Sequence, residues 1–537
     1  MSDMCSALRF PAGSVIVEED PYACCLDQDL LKIMCSFCVR KRPNVVCSRC
    51  NVVKYCNTEC EVKDKAYHDL ECNVLRLRIN EQLDEETRLV IRTLDRCVRE
   101  RKQGADSIGD FFGYRRTIYD LESHAADLNL TKREKATRRA NYIFGLVKEH
   151  VDTSRDQVFE ILLKCRINKI TLLNHHSPRF YCCGSALYLA VSKMNHSCVE
   201  APYVQIFDGR KYTLRALRDI RVDNPLTLTV HYVPPNMPFA QRQKHLLHNY
   251  YFICNCAKCC WQARHPIPEA DEAIVSRIEK TFQTAPDYNA WYNIGKELLA
   301  KLHDLPDSNF YVNWLLTHTQ WTCTMVGHLE ESIYYGSRAL RSTDIVTTIE
   351  TILFSMCESM IKLGWHKPES KKQIAFGQAV KLAKSLFVLT HGANHKLYRA
   401  LESMQKAGED AYQYAHQAGD FQRGNTLPPC NPTVFGQSGR PRYAHSFPGA
   451  NQLGDAGAAT PSMTWQPWMT YLPRLLASVL PPQFSQVPSR PCLATGNPTT
   501  PRCPIIQQLP RFPSPTGRFS APNPPPIRPS IPIRQLS

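Results

Sequence analysis

Residues 35–72 read CSFCVRKRPNVVCSRCNVVKYCNTECEVKDKAYHDLEC. Within that stretch Cys35, Cys38, Cys47, Cys50, Cys56, Cys60, His68 and Cys72 follow the spacing C-x2-C-x8-C-x2-C-x5-C-x3-C-x7-H-x3-C. A C-x2-C pair makes a tight turn that aims two thiolates at one ion. C-x3-C or H-x3-C sets two ligands on one face of a helical turn. Eight ligands suffice for two tetrahedral zinc sites, and unrelated buried cysteines do not fall into four such pairs in order. The stretch is short for a core of its own, so metal binding is expected to supply its folding free energy. The chain holds 24 cysteines. Clustered in this way in a reducing compartment, they point to zinc rather than to disulfides.

Outward from this cluster, 537 residues predict two to four folding units. On the N-terminal side, Pro11-Ala12-Gly13 reads as a turn into a strand at Val15-Ile16-Val17. Residues 73–165 carry helical apolar spacing (Leu75, Ile79, Leu83; Val158, Ile161, Leu162). The basic run Lys132 to Arg139 lies among them and reads as a solvated helix face, with a nuclear import signal as the alternative. From Leu187 to Tyr232 the signals become short and strand-like. Tyr203 to Phe207 and Tyr212 to Ala216 flank a turn at Asp208-Gly209, and Leu226 to Tyr232 reads as a further strand. Residues 268–418 return to long amphipathic helices. Antiparallel pairs of the tetratricopeptide type suit them, although no clear repeat signature is present.

The stretch 421–537 holds 24 of the 38 prolines, ten arginines, no lysine and one acid, Asp455. That bias cannot build a packed core and predicts a disordered tail. The tail carries most of the +15 net charge, so direct DNA binding by the core is not expected. No run of about 18 apolar residues appears, and no basic-then-apolar leader opens the chain. A cytoplasmic and nuclear protein without a membrane span is expected.

A second constellation begins at Asn195-His196-Ser197-Cys198. It continues through Tyr232 and Tyr250-Tyr251-Phe252 to Cys254-x-Cys256-x2-Cys259. Three cysteines need a fourth ligand for zinc, and Cys198 or Cys260 could supply it. The adjacency of Cys260 to Cys259 strains a shared tetrahedron.

The first cluster, with its Lys54-Tyr55-Cys56 step, resembles the MYND finger. The second resembles a SET domain followed by a post-SET zinc site. In that order they resemble the SET and MYND domain (SMYD) family of protein-lysine methyltransferases, over about residues 8–418. The resemblance implies an α+β fold in which a SET β-fold is split by the finger. Its parts are residues 1–34 (N-terminal SET segment), 35–72 (MYND finger), 73–165 (helical linker), 166–235 (core SET) and 236–262 (post-SET). A helical, tetratricopeptide-like domain (265–420) and the Pro-rich tail (421–537) complete it. The resemblance also implies interleaved zinc sites, Cys35, Cys38, Cys56 and Cys60 on one ion and Cys47, Cys50, His68 and Cys72 on the other. Cys198, Cys254, Cys256 and Cys259 make a third, giving three zinc ions. Asn195, His196, Asn168 and Phe252 are implied as contacts of S-adenosylmethionine, Tyr232 as the catalytic tyrosine, and Tyr250 as a wall of the lysine channel.

The chemistry explains such a set. Methyl transfer is an in-line displacement, so the amine must be held opposite the leaving sulfonium with water excluded. A lysine in water has a pKa of about 10.4, and a narrow aromatic channel disfavours its ammonium form. The implied substrates are histone or non-histone lysines. Pro-rich peptides are the implied ligands of the finger, although its basic residues Lys41, Arg42, Arg49 and Lys54 also admit a DNA role. A monomer is expected. The sequence departs from the SET pattern in two places. No Gly-x-Gly occurs from Met1 to Phe10, and Asp223-Asn224-Pro225 replaces the usual glycine-acid turn. The first departure predicts weak cofactor binding, and it leaves a non-catalytic SET-MYND adaptor or corepressor as the alternative function.

Overall fold

The computed structural model describes residues 7–40, 42–77, 83–176, 181–265, 277–278, 287–343, 345–366 and 372–406. The expected tail and residues 1–6 lie outside them. Strands β1 (Leu8–Phe10), β2 (Val15–Glu19) and β3 (Ala23–Leu26) precede the cysteine-rich segment. In that segment the hairpin β4 (Val45–Val46) and β5 (Lys54–Tyr55) leads into helix α1 (Thr58–Leu77). Gly13, at φ +78°, closes the predicted turn, with Ser14 N–H donating to the Pro11 carbonyl at 3.0 Å. Only glycine takes this conformation cheaply.

Helices α2 (Glu85–Gln103), α3 (Leu130–Val147) and α4 (Arg155–Asn168) follow. Each begins at a side-chain cap, from Asp84, Asn129 and Ser154 respectively. The run Lys132 to Arg139 lies on α3, where Ala136 is buried and most of its neighbours are exposed. The helical reading of 73–165 missed one feature. The hairpin β6 (Gly109–Phe111) and β7 (Tyr114–Arg116) interrupts it, because Phe111 is buried in the β core.

The centre of the chain is β-rich: β8 (Ile170–Asn174), β9 (Tyr181–Leu187), β10 (Asn195–His196), β11 (Tyr203–Asp208), β12 (Lys211–Ala216), β13 (Ile220–Val222) and β14 (Thr229–Val230). These strands pair with those preceding the cysteine cluster. β1 pairs with β13, β2 joins β12 and β11, and β3 joins β9 and β8, all antiparallel. Sequence neighbours are therefore split by the intervening finger and helices, and residues 8–26 pair with strands that lie about 160 to 210 residues later. At Gly184 the strands approach so closely that a Cβ would lie 2.0 Å from the Cys25 carbonyl oxygen. The expected strand from Leu226 to Tyr232 is corrected. The Asn224 side chain accepts from Leu226 N–H and Pro225 starts a short 3-10 turn, which leaves only Thr229 and Val230 to pair, in parallel, with Asn195 and His196.

The finger does not stand alone. Tyr55, Leu70, Val74 and Leu75 share one apolar core with Leu89, Ile91 and Leu94 of α2 and Leu162 of α4. Metal is thus not the whole source of its folding free energy. Beyond α5 (Phe239–Tyr250) and α6 (Ala257–Arg264), six helices occur among the described residues. These are α7 (Tyr288–Lys301), α8 (Phe310–Val326), α9 (Leu329–Leu340), α10 (Val346–Lys362), α11 (Gln373–His391) and α12 (Lys396–Lys406). Each packs on the next around Leu298, Leu315, Leu353, Val380, Phe387 and Leu401. No helix among the described residues is long and apolar enough to cross a membrane.

Candidate functional site

Three clusters of thiol and imidazole ligands form. They are Cys35, Cys38, Cys56 and Cys60; Cys47, Cys50, His68 and Cys72; and Cys198, Cys254, Cys256 and Cys259, each set with its ligand atoms within 4.8 Å of one another. A tetrahedron of zinc–sulfur bonds of about 2.3 Å puts its sulfurs about 3.8 Å apart. The separations found are Cys38–Cys56 3.8 Å, Cys56–Cys60 3.5 Å, Cys47–Cys72 3.7 Å, Cys198–Cys259 3.6 Å and Cys198–Cys254 4.0 Å. The donor sets and spacings fit zinc. Cys260 is turned away, its thiol donating to the Asn255 carbonyl at 3.2 Å.

Around the second cluster lies a buried ionic network that spacing alone did not reveal. His68 Nε2 is 3.5 Å from Cys50 Sγ, while its Nδ1 is 2.7 Å from Glu71. Glu71 also accepts from Arg88 Nε at 2.6 Å and Arg92 Nε at 2.8 Å. Arg92 forks onto Asp64 at 2.9 and 3.1 Å, and Asp64 accepts from the Tyr55 hydroxyl at 3.0 Å. The two guanidinium groups hold the Glu71 carboxyl well below the usual range against the opposing effect of burial. The helical period of α1 places Asp64, His68 and Glu71 on one face. Only docking on α2 shows what that face meets. On the finger's surface Arg49 pairs with Asp69 at 3.0 Å, whereas Lys41 lies outside the described residues.

At the third cluster, Arg242 is buried with Nη2 3.7 Å from Cys259 Sγ. The Gln243 amide bonds both backbone groups of Cys254, each at 2.9 Å. Beside this lobe the expected site residues converge. The Tyr232 hydroxyl donates to the Met194 carbonyl at 2.8 Å, and its backbone N–H donates to His196 Nδ1 at 2.9 Å. Tyr232 and Tyr250 rings are 4.8 Å apart, and His196 lies 5.3 Å from Tyr232 and 6.0 Å from Phe252. Burial pushes the Tyr232 phenol up to about 12 and that of Tyr250 above its ordinary value. Both are neutral near pH 7. Burial lowers His196 to about 4.

Asn195 is exposed on β10 beside Thr229. Asn168 is reached by another route. At the end of α4, its Nδ2 donates to the Glu122 carbonyl at 2.7 Å and to the Lys164 carbonyl at 2.9 Å. Lys164 Nζ in turn holds the carbonyls of Tyr119 and Leu121 at 2.6 and 2.7 Å. At the other end of this segment Arg116 donates to Ser192 Oγ at 3.2 Å and to the Asp120 carbonyl at 2.6 Å. The segment 116–122 therefore bridges Asn168 to the 3-10 turn Val191–Lys193, which precedes the strand carrying Asn195 and His196. Sequence reading passed over Arg116, because a lone arginine in a hairpin carries no motif.

Comparison with known proteins agrees with this layout. The MYND finger family model matches residues 24–72. Histone-lysine N-methyltransferase SMYD3 of Mus musculus is 25% identical over 407 residues, covering 72% of this chain and 91% of the relative. N-lysine methyltransferase SMYD2-B of Danio rerio is 21% identical over 409 residues, with 72% and 91% covered. Over most of its length the chain is similar to members of the SET and MYND domain family. SET domain and MYND-type zinc finger protein 6 of Schizosaccharomyces pombe adds 28% identity over 266 residues, about half of each chain. An α+β SET-MYND fold, as this similarity supports, accounts for the strands that meet across the finger.

Proposed function

We propose that this chain is a protein-lysine N-methyltransferase that takes its methyl group from S-adenosylmethionine and acts on lysines of histone or non-histone proteins. The observation that carries the reading is the convergence of His196, Tyr232, Tyr250 and Phe252 beside the Cys198 cluster. A non-catalytic adaptor needs the metal lobes and the helices, but not this aromatic assembly. Relatives named as lysine methyltransferases over most of the chain support the same conclusion. In this reading residues 8–26 and 166–235 form one SET fold split by the finger, and Cys198, Cys254, Cys256 and Cys259 hold a post-SET zinc. The C-terminal helices form a tetratricopeptide-like layer. The finger serves protein interaction, with Pro-rich peptides as its proposed ligands.

The residues fit the donor. Asn195, His196, Asn168 and Phe252 supply polar and aromatic surface around it, and when bound it supplies an electrophilic methyl group on a sulfonium. The rest belongs to the chain. The Tyr232 hydroxyl spends its proton on the Met194 carbonyl, so its oxygen lone pairs are left to accept from the substrate amine. Being neutral, it orients the amine and does not act as a base. Tyr250 and Tyr232 wall the approach, which excludes water and disfavours a charged ammonium. The test is a titration with labelled donor beside a methylation assay on a lysine-rich protein panel. Saturable binding and label transfer are expected, and full-length, zinc-loaded chain that does neither would sink the proposal.

A further inference from the structure

We propose that the Arg116 guanidinium anchors the carboxylate at the amino-acid end of the methyl donor. The inference rests on the methyltransferase reading and names a binding residue for it. Arg116 ends β7, half-buried, and spends its two recorded hydrogen bonds on neutral acceptors, Ser192 Oγ and the Asp120 carbonyl. Among the described residues it enters no ion pair. The Asp120 and Glu122 carboxylates act on it only at longer range. A partly desolvated cation without a paired anion is costly, and the position is explained if a ligand brings the negative charge.

Its place in the fold names the ligand. Ser192 opens the short stretch that runs through Met194, which receives the Tyr232 hydroxyl, to Asn195 and His196. Across from it, Asn168 grips the Glu122 carbonyl at the far end of the same segment. Arg116 is thus a cation on the segment that links the two groups of proposed donor contacts, at its Ser192 end. The donor carries a sulfonium and an ammonium, both cationic, and a single carboxylate. Only the carboxylate suits a guanidinium. With two of its five N–H donors used, the planar fork keeps a pair for bidentate recognition.

The experiment compares two ligands on the full-length, zinc-loaded chain, S-adenosylhomocysteine and methylthioadenosine, which lacks the amino-acid end. Arg116→Gln keeps an N–H donor but removes the charge and the guanidinium fork. It is expected to weaken S-adenosylhomocysteine by about 10–100-fold and to leave methylthioadenosine unchanged. Arg116→Lys should restore part of the loss, and the unliganded melting temperature of neither variant should fall below that of wild type. Equal loss for both ligands, or none for either, overturns the assignment while the methyltransferase reading stands. Wild-type chain that binds neither ligand overturns both.

Discussion

The backbone N–H of Tyr232 donates to Nδ1 of His196 at 2.9 Å, and the same imidazole turns its Nε2 to within 3.1 Å of Cys198 Sγ. With Nδ1 accepting, the ring proton resides on Nε2 and points at the sulfur. One imidazole therefore ties the proposed catalytic tyrosine to the third cysteine cluster. Metal in that lobe and the geometry at Tyr232 are expected to be coupled.

Removing a ligand from this lobe tests the coupling. Cys254→Ser should abolish methyl transfer and weaken donor binding, while the finger keeps its zinc and the C-terminal helices keep their circular dichroism. Metal analysis should fall from three zinc ions per chain to two. Retained transfer at two zinc ions per chain would show that the tyrosine does not depend on the lobe.

Tyr232→Phe removes one hydroxyl and keeps the ring packed at a tilt against Tyr250. Methyl transfer should fall about 10 to 1000-fold, roughly 1.4–4 kcal/mol of barrier, judged from the loss of a positioned group. Donor affinity should change little. Single-turnover rates together with a binding titration separate the two, and equal losses in both would place Tyr232 in cofactor binding.

Glu71→Ala leaves the Arg88 and Arg92 guanidinium groups buried without their shared partner and frees Nδ1 of His68. Breaking a buried charged network in this way costs about 3–5 kcal/mol. Loss of the partner that orients a metal-ligating imidazole weakens metal binding about 10–100-fold. Thermal melts and chelator competition should report both effects. A variant that melts as wild type does would show that the network contributes nothing net.

Acid should loosen the seam between the C-terminal helices and the β core. There His175 lies 3.3 Å from His391, His391 is 3.2 Å from Glu350, and His395 packs against both His391 and His176. Asp208 holds His176 at 2.8 Å, and Lys396 adjoins. Burial, helped by the neighbouring imidazoles, pushes His175 well below its usual range and His395 to about 2, with Asp208 opposing the latter. The unfolded chain takes up protons at these groups below a pH of about 6.5 and the folded chain does not. Their contribution is therefore constant above that pH and falls below it, by up to about 1.4 kcal/mol per pH unit for each group. Urea midpoints at about pH 7.5 and about pH 5.5 measure the slope. His395→Asn should flatten it, and an unchanged slope would clear the seam of acid sensitivity.

Some of this was legible in the chain itself. Ligand spacing is local, so C-x2-C, C-x3-C and H-x3-C declared the zinc clusters before any folding, and Tyr203 to Ala216 announced its hairpin through an Asp-Gly turn. The partners of residues 8–26 were not legible from periodicity, because strand pairing across the finger is a long-range choice. Pro225 and the Asn224 cap shortened the strand expected up to Tyr232. Periodicity could place Asp64 and Glu71 on one face of α1, but not the two arginines of α2 that meet them. Nor could it mark Arg116, whose meaning comes from a contact with Ser192 on a distant segment. The sequence by itself determined the closely spaced ligand pairs and most element types, since these depend on neighbours a few residues apart, whereas only folding brought Cys198 to Cys254, Cys256 and Cys259. Only the tertiary structure decided which charges are buried together and which half-buried cation is left without an ion pair among the described residues, since burial and pairing exist only once distant segments have packed.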